Sequence, residues 1–238
     1  MLNSNELQRS KNFILNSLPQ DEYDRLHPHL ELVELHQNET LTRIREPITH
    51  VYFPTTVLIS KVHSTQEGET VEVGITGFEG VVGTAFLFNQ NSAPWQVEVQ
   101  LTGEAFKLSA EIFASVLHKS VVLRQKVTAF TYLKLMQLTQ SALCNRFHTV
   151  EQRLCRWLLA AQDRVKSPEL LLTRDTLASM IGSTRPAVSI VTGTLQTAGF
   201  IRATRGKVTI LNREEMEEAT CECYHIIKDE FDRYLEIK

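Results

Sequence analysis

Apolar and polar residues alternate in short bursts over residues 31–108, and glycine, asparagine, proline or serine cuts the alternation every few residues. "HVYFPTTVLISKV" (50–62), "ETVEVGIT" (69–76), "QVEVQLTG" (96–103) and "EAFKLS" (104–109) are rich in valine, isoleucine, threonine and aromatics. Such residues fit a pleated, half-buried surface, so each stretch predicts a strand. Closely spaced short strands predict a compact roll or barrel rather than a parallel sheet with crossover helices.

At Ser109 the pattern changes. No glycine or proline occurs from there to Phe147, so nothing punctuates the stretch as a loop. A short helix is predicted near 109–117 and a long one over about 119–144. Val122, Ala129, Leu133, Met136 and Leu143 form one apolar stripe on the long helix; Leu123, Val127 and Phe130 form another. Two stripes require two partners. The roll and a second copy of this helix are one solution, and burial within a single chain is the other.

Thr149, with Gln152 three residues on, is placed as the capping box of "TVEQRLCRWLLAAQDRV", which Pro168 in "KSPEL" brings to an end. Beyond it the spacing is that of two crossed helices. Leu177, Ile181, Val188 and Val191 fall where such a pair buries its core. Ala178 is small enough for close approach, and Gly182 sits in the turn, where positive φ is cheap only for glycine. Thr173 can cap the first helix, and Ser183 or Thr184 the second. Pro186 is tolerated only in a first helical turn, which independently places the second helix start. Gly199 can end that helix, and "IRATRGKVTIL" then predicts a hairpin turning at Arg205–Gly206–Lys207. A helix-turn-helix followed by a hairpin is a winged helix with a basic tip suited to phosphate.

Charge strengthens this reading by its position. The chain carries −3 overall, but residues 1–118 carry −8, 119–148 carry +5, 149–213 carry +6 and 214–238 carry −6. The positive block contains the crossed helices. Other features narrow the class. Residues 1–20 scatter charges among their apolar positions and are not expected to be a signal peptide. No window approaches the ~18 apolar residues of a membrane span, and four cysteines suggest reduced thiols and a cytoplasmic location. Cys221 and Cys223 form a CxC without a nearby second ligand pair, so they are assigned to helix packing and no metal or cofactor is expected. No phosphate loop, ligand cluster or nucleophile motif points to an enzyme.

"LTRDTLASMIGSTRPAVSIVTGTLQTAGFI" (172–201) followed by "RGKVTIL" (205–211) resembles the DNA-binding domain of the Crp/Fnr superfamily of bacterial transcription regulators. A roll, a long helix and "NRFHTVEQRLCRWLL" (145–159) precede it in that family's order. The resemblance implies an α+β chain with three parts: a cyclic-nucleotide-binding-like β-roll sensor (1–118), a dimerisation helix with hinge (119–147), and a winged helix-turn-helix with an acidic C-terminal helix (148–238). It implies a homodimer on a palindromic double-stranded DNA operator, with RNA polymerase as a further candidate partner. Thr173, Arg174, Ser183 and Thr184 match phosphate-holding positions, and Arg205 and Lys207 supply the wing's cations. Arg185 matches a base-contacting arginine that can grip guanine O6 and N7. Pro186 and Ile190 stand where family members often carry Glu and Arg. Direct readout then rests on Arg185 and Ser189, with Ile190 available for apolar contact and shape readout carrying more of the affinity.

The sensor departs from the family in the same way. No Lys or Arg occurs between Val62 and Phe106, while Glu67, Glu69, Glu72, Glu79, Glu98 and Glu104 do. A desolvated phosphate without a cation is unfavourable, so cyclic AMP is not expected to bind. Gly80 and Gly83 could form an anion nest or simple roll turns, and Trp95 is a core residue or a ligand platform. No cysteine precedes Cys144 to hold an iron–sulfur cluster at the N-terminal end, and His63 and His118 show no pairing for haem. "REEMEEATCECYHIIKDEFDRYLEIK" predicts one amphipathic C-terminal helix whose acidic face is solvated, meets a partner, or restrains the wing. The effector is left open. The competing reading is a ligand-sensing or protein-interaction module whose winged helix no longer reads DNA.

Overall fold

The computed structural model describes residues 11–236; the first ten residues of the N-terminal segment and the last two lie outside the described residues. The chain enters through two short helices, α1 (Phe13–Asn16) and α2 (Gln20–Leu26). The fully buried Asn12 caps α1 by accepting from Leu15 N at 3.2 Å. Its amide donates to the carbonyls of Pro54 and Gly80 at 2.9 and 2.8 Å, so this buried polar group is satisfied at both ends.

The roll follows as seven strands: β1 (Glu31–Leu35), β2 (Thr40–Thr42), β3 (His50–Pro54), β4 (Leu58–Ser64), β5 (Thr70–Thr76), β6 (Gln96–Leu101) and β7 (Gly103–Ser109). They form two antiparallel sheets, β1-β7-β3 and β2-β6-β4-β5. "HVYFPTTVLISKV" is therefore two strands in different sheets. Pro54 has no N–H for a ladder, and the chain crosses between sheets there. Leu35, Val57, Ile59, Val97, Val99 and Ala105 fill the space between the sheets.

Helix α3 (Ala110–Lys119) leads into α4 (Val121–Phe147), whose N-terminus is capped by Ser120, which accepts from Leu123 N at 2.8 Å. Leu123, Val127, Phe130 and Leu133 are buried against the roll, α1 and α3. Leu133 thus belongs to the roll-facing stripe, and Val122 and Ala129 also pack against that core, so the second stripe is not the one expected. The exposed apolar residues of α4 include Tyr132 (60% accessible), Leu135 (55%) and Leu143 (42%). Gly80 is what lets α4 lie so close: a Cβ there would stand 2.1 Å from the Phe130 ring. Gly83, at φ +111°, faces Val51 in the same way. Both glycines serve packing and backbone geometry rather than an anion nest.

The C-terminal domain contains α5 (Val150–Val165), opened by the predicted Thr149–Gln152 capping box, then α6 (Arg174–Met180) and α7 (Arg185–Thr197). Strands β8 (Glu169–Leu170), β9 (Ile201–Thr204) and β10 (Lys207–Ile210) form an antiparallel sheet in the order β8-β10-β9. The wing turn is the two residues Arg205 and Gly206; Lys207 already pairs with Thr204 as the first residue of the returning strand. Two helices, α8 (Arg213–Ala219) and α9 (Glu222–Glu236), replace the single C-terminal helix expected, with the break at Thr220–Cys221.

Helix α9 runs back along α4 and α5 and places Phe231 and Tyr234 in the core that also holds Ile14, Val127 and Phe130. The Tyr234 ring lies 5.0 Å from that of Phe13, and its hydroxyl donates to the Glu79 carbonyl at 3.1 Å. The roll and the C-terminal domain share one further core, in which Leu58, Ile75 and Leu101 pack with Leu154, Trp157 and Met180. Two buried acids cross this boundary. Glu72 accepts from Trp157 Nε1 at 3.0 Å and from Ser60 Oγ at 2.8 Å. Glu79 accepts from Arg164 Nε at 2.9 Å, and the Arg164 guanidinium also stacks on the Phe231 ring at 4.8 Å.

Candidate nucleic-acid interface

Local signals build the crossed-helix pair as predicted. Thr173 Oγ1 accepts from Thr176 N at 3.1 Å to cap α6. Thr184, not Ser183, caps α7 by accepting from Ala187 N at 3.4 Å, and Pro186 occupies its first turn. Gly182 carries φ +58° in the turn. Leu177, Ile181 and Val188 are fully buried between the helices, whereas Val191 is only partly so. The α5 residue Arg153 holds the turn from behind, donating from Nη1 to the carbonyls of Ile181 (2.8 Å) and Gly182 (3.2 Å). Carbonyls left over at a helix end need such a donor.

The starts of α6 and α7 and the wing tip enclose a groove of about 280 Å³. Thr173, Arg174, Arg185 and Arg205 line it together, so four of the residues singled out from sequence converge. Arg174, Arg185, Pro186, Ile190 and Arg205 are exposed; Ile190, at 72% accessible, is an unusually open apolar side chain. Ser189 is half-buried on the flank of α7.

Three residues depart from the expected pattern. Lys207 is held by Glu169 at 2.5 Å, so part of its charge is already balanced across the wing sheet. Ser183 and Thr184 line a different cleft, about 470 Å³, shared with His63, Thr65 and Glu69 of the β4–β5 hairpin. An acid opposite these positions is the reverse of what a phosphate requires.

Sequence reasoning missed Asp175. It stands beside Arg174 in the first turn of α6, and its carboxylate pairs with Arg185 Nε at 3.3 Å. The contact is made through Nε, the guanidinium nitrogen set back from the two terminal amines.

The roll contains a cation just outside the stretch read as cation-free. Lys61 Nζ stands 5.0 Å from the Trp95 ring centroid, and desolvation pushes its ammonium down to about 8. Trp95 packs against the roll core and meets His63 edge-on. Around Lys61 and Trp95 the free space is about 10 Å³, enough for one water molecule. Glu72 is pushed up to about 7 by burial, against the hydrogen bonds from Ser60 and Trp157 that favour its ionised form.

The cysteine assignment needs correction. Cys221 and Cys223 do have a second ligand pair nearby: the return of α9 along α4 brings them beside Cys144 and His148, with all four ligand atoms within 4.8 Å of one another. Nothing local in the sequence could reveal this, because 77 residues separate Cys144 from Cys221. Among the described residues no helix is long and apolar enough to cross a membrane.

Residues 152–219 match the family model of the Crp-like helix-turn-helix domain. Solved structures with the same fold include FixK2 from Bradyrhizobium japonicum, with a TM-score of 0.68 and 17% identity over 81% of this chain and 98% of that one. The c-di-GMP responsive global regulator CLP of Xanthomonas campestris gives 0.65 and 18%, over 81% and 99%. A CRP-family transcriptional regulator from Thermus thermophilus gives 0.67 and 17%, over 79% and 95%. A comparison with curated protein sequences found no match.

Proposed function

We propose that this chain, which carries a Crp-like helix-turn-helix domain on the fold of the Crp/Fnr transcription regulators, is a homodimeric, sequence-specific DNA-binding regulator that works without cyclic AMP. The observation that carries the reading is the groove in which Thr173, Arg174, Arg185 and Arg205 meet, at the end of the domain where an exposed helix face and a basic wing tip flank one another. In this reading Arg185 reads a guanine, and Ile190 and Pro186 offer only apolar contact. Ser189 adds one hydroxyl from the flank. Thr173, Arg174 and Arg205 hold phosphates, and Lys207 contributes less because Glu169 already engages it. Ser183 and Thr184 join them once the β4–β5 hairpin draws back.

Dimerisation uses the exposed face of α4. Tyr132 and Leu135, with Thr128 and Thr139 on the same side, recur at three- and four-residue spacing, the seam of a coiled coil. Two α4 helices packed there would put two winged domains on one palindromic operator. Cyclic AMP is excluded in this reading because the roll interior is filled around Trp95 and Lys61. Lys61 is its one inward cation among residues 61–106.

A second reading has one observation in its favour. The outward stripe of α7, formed by Pro186, Ile190 and Gly193, carries no charge, as suits a protein-binding surface. Selection of bound sequences from a random DNA pool, run in parallel with Arg185→Ala, separates the two. A palindromic motif that the variant loses supports the regulator. Enrichment of nothing at low salt supports the interaction module.

A further inference from the structure

Two distant stretches of chain bring four soft ligands to the joint between α4 and the C-terminal domain. Cys144 lies buried in the last turn of α4, and His148 is the residue that closes that helix. Cys221 and Cys223 open α9, both buried. Cys144 Sγ lies 3.6 Å from Cys221 Sγ, and Cys223 Sγ lies 3.4 Å from His148 Nδ1.

A single zinc ion makes a quantitative demand on such a group. With Zn–S of about 2.3 Å and Zn–N of about 2.0–2.1 Å, a tetrahedron has S–S edges of about 3.8 Å and S–N edges of about 3.5 Å. Two of the six separations, Cys144–Cys221 and Cys223–His148, match these edges within about 0.2 Å, and all four ligand atoms lie within 4.8 Å of one another. The surroundings match independently. Nδ1 of His148 faces the thiols, while Nε2 lies 3.3 Å from the Glu222 carboxylate, the arrangement that fixes the tautomer of a ligating imidazole. The Gln140 amide donates to Cys223 Sγ at 3.1 Å, as a thiolate welcomes. Cys144 and His148 share a helix face by their i, i+4 spacing, and the turn into α9 brings Cys221 and Cys223 to the same point. An iron–sulfur cluster is disfavoured by size, because its ligands surround a body of several atoms whereas these four ligand atoms lie within 4.8 Å of one another.

We propose that Cys144, His148, Cys221 and Cys223 form a closed tetrahedral site for one zinc ion per chain. Three thiolates and one imidazole select a soft or borderline ion and leave no open position for substrate, so the site is structural. Binding releases the thiol protons to solvent. The ion clips α9 to the end of α4, immediately before α5 begins, and so stiffens the junction between those helices. Cys155, also buried, lies outside the group.

The test uses untagged full-length protein grown with zinc. Elemental analysis is expected to find about one zinc per chain, retained on dialysis. After the zinc is stripped, cobalt(II) titration should give thiolate-to-metal charge-transfer bands and the strong visible absorption of a tetrahedral ion. Cys221→Ser and His148→Ala should lose both signals, and Cys155→Ser should keep them. Because a core cysteine variant can misfold, Glu222→Gln provides the second arm. Glu222 is exposed, and its loss should leave the fold intact while weakening zinc about 10–100-fold in a chelator competition. Three outcomes overturn the proposal: wild type with no bound metal and no cobalt bands, full zinc occupancy in both ligand variants, or a Cys144–Cys221 disulfide in protein isolated without reductant.

Discussion

Asp175 and Arg185 bridge the two crossed helices, with the carboxylate of the first helix 3.3 Å from Nε of the second. Arg185 is the one charged residue of α7, so this acid lies beside the helix's single strong hydrogen-bond donor. Both side chains are about two-thirds exposed. The pair therefore adds little to stability.

Arg185→Ala should cost about 1–3 kcal/mol of binding to the selected operator and relax preference at one base pair of each half-site. Asp175→Ala should preserve the fold and raise the affinity for random DNA slightly, by removing a negative charge from the groove, while reducing discrimination at that same base pair. Competition binding between the operator and single-base variants gives both numbers.

Removing Arg174 or Arg205 should weaken binding to all sequences alike and lower the slope of log K against log salt by about 1 each. Lys207→Ala should lower it less than Arg205→Ala does, because Glu169 balances Lys207 before DNA arrives. A salt titration of the three variants tests the order.

The Glu79–Arg164 pair is almost wholly enclosed between the roll and α5. Arg164→Met strands a buried carboxylate and should destabilise the protein by about 3–5 kcal/mol, read from denaturant unfolding. Replacing both partners with apolar residues should recover much of the loss.

Glu72 makes stability depend on pH. Its carboxyl is raised from 4.5 to about 7, chiefly by burial, so the folded protein holds this proton more tightly than the unfolded chain does. The contribution is full below about pH 4.5 and is lost as pH rises through 7, a change of about 3 kcal/mol. Chemical unfolding at a series of pH values should show this decline, and Glu72→Gln should remove it.

Tyr132→Asp together with Leu135→Asp should convert a dimer into a monomer in sedimentation without loss of helix content. Both side chains are open to solvent in the single chain, so charge there costs nothing until a second helix must cover it. Operator affinity should fall in parallel.

Features that depend on neighbours in sequence are legible in the sequence alone. The capping threonines 149, 173 and 184, the turn glycine at 182 and the proline at 186 each satisfy a local backbone requirement, and they delimit α5, α6 and α7. What escaped depends on where distant segments come to rest. The side of α4 to which Leu133 belongs is settled by the roll beneath it, and the Asp175–Arg185 contact by the crossing of two helices. The partner of Lys207 is set by the register of β8 against β10. The meeting of Cys144 with Cys221 needs the whole C-terminal domain to be in place. Periodicity describes one element at a time and is silent on all four.

The contact between Phe13 and Tyr234 joins the first described helix to the last. During synthesis, a nascent chain that has not yet released Phe231 and Tyr234 from the ribosome lacks two side chains of the core beneath α4 and the hydroxyl that caps the Glu79 carbonyl. That part of the core can close only after the winged domain has been made. It stays incomplete through translation of the winged domain, so a chain cut short in its final turns forfeits the packing of the first domain along with that of the last.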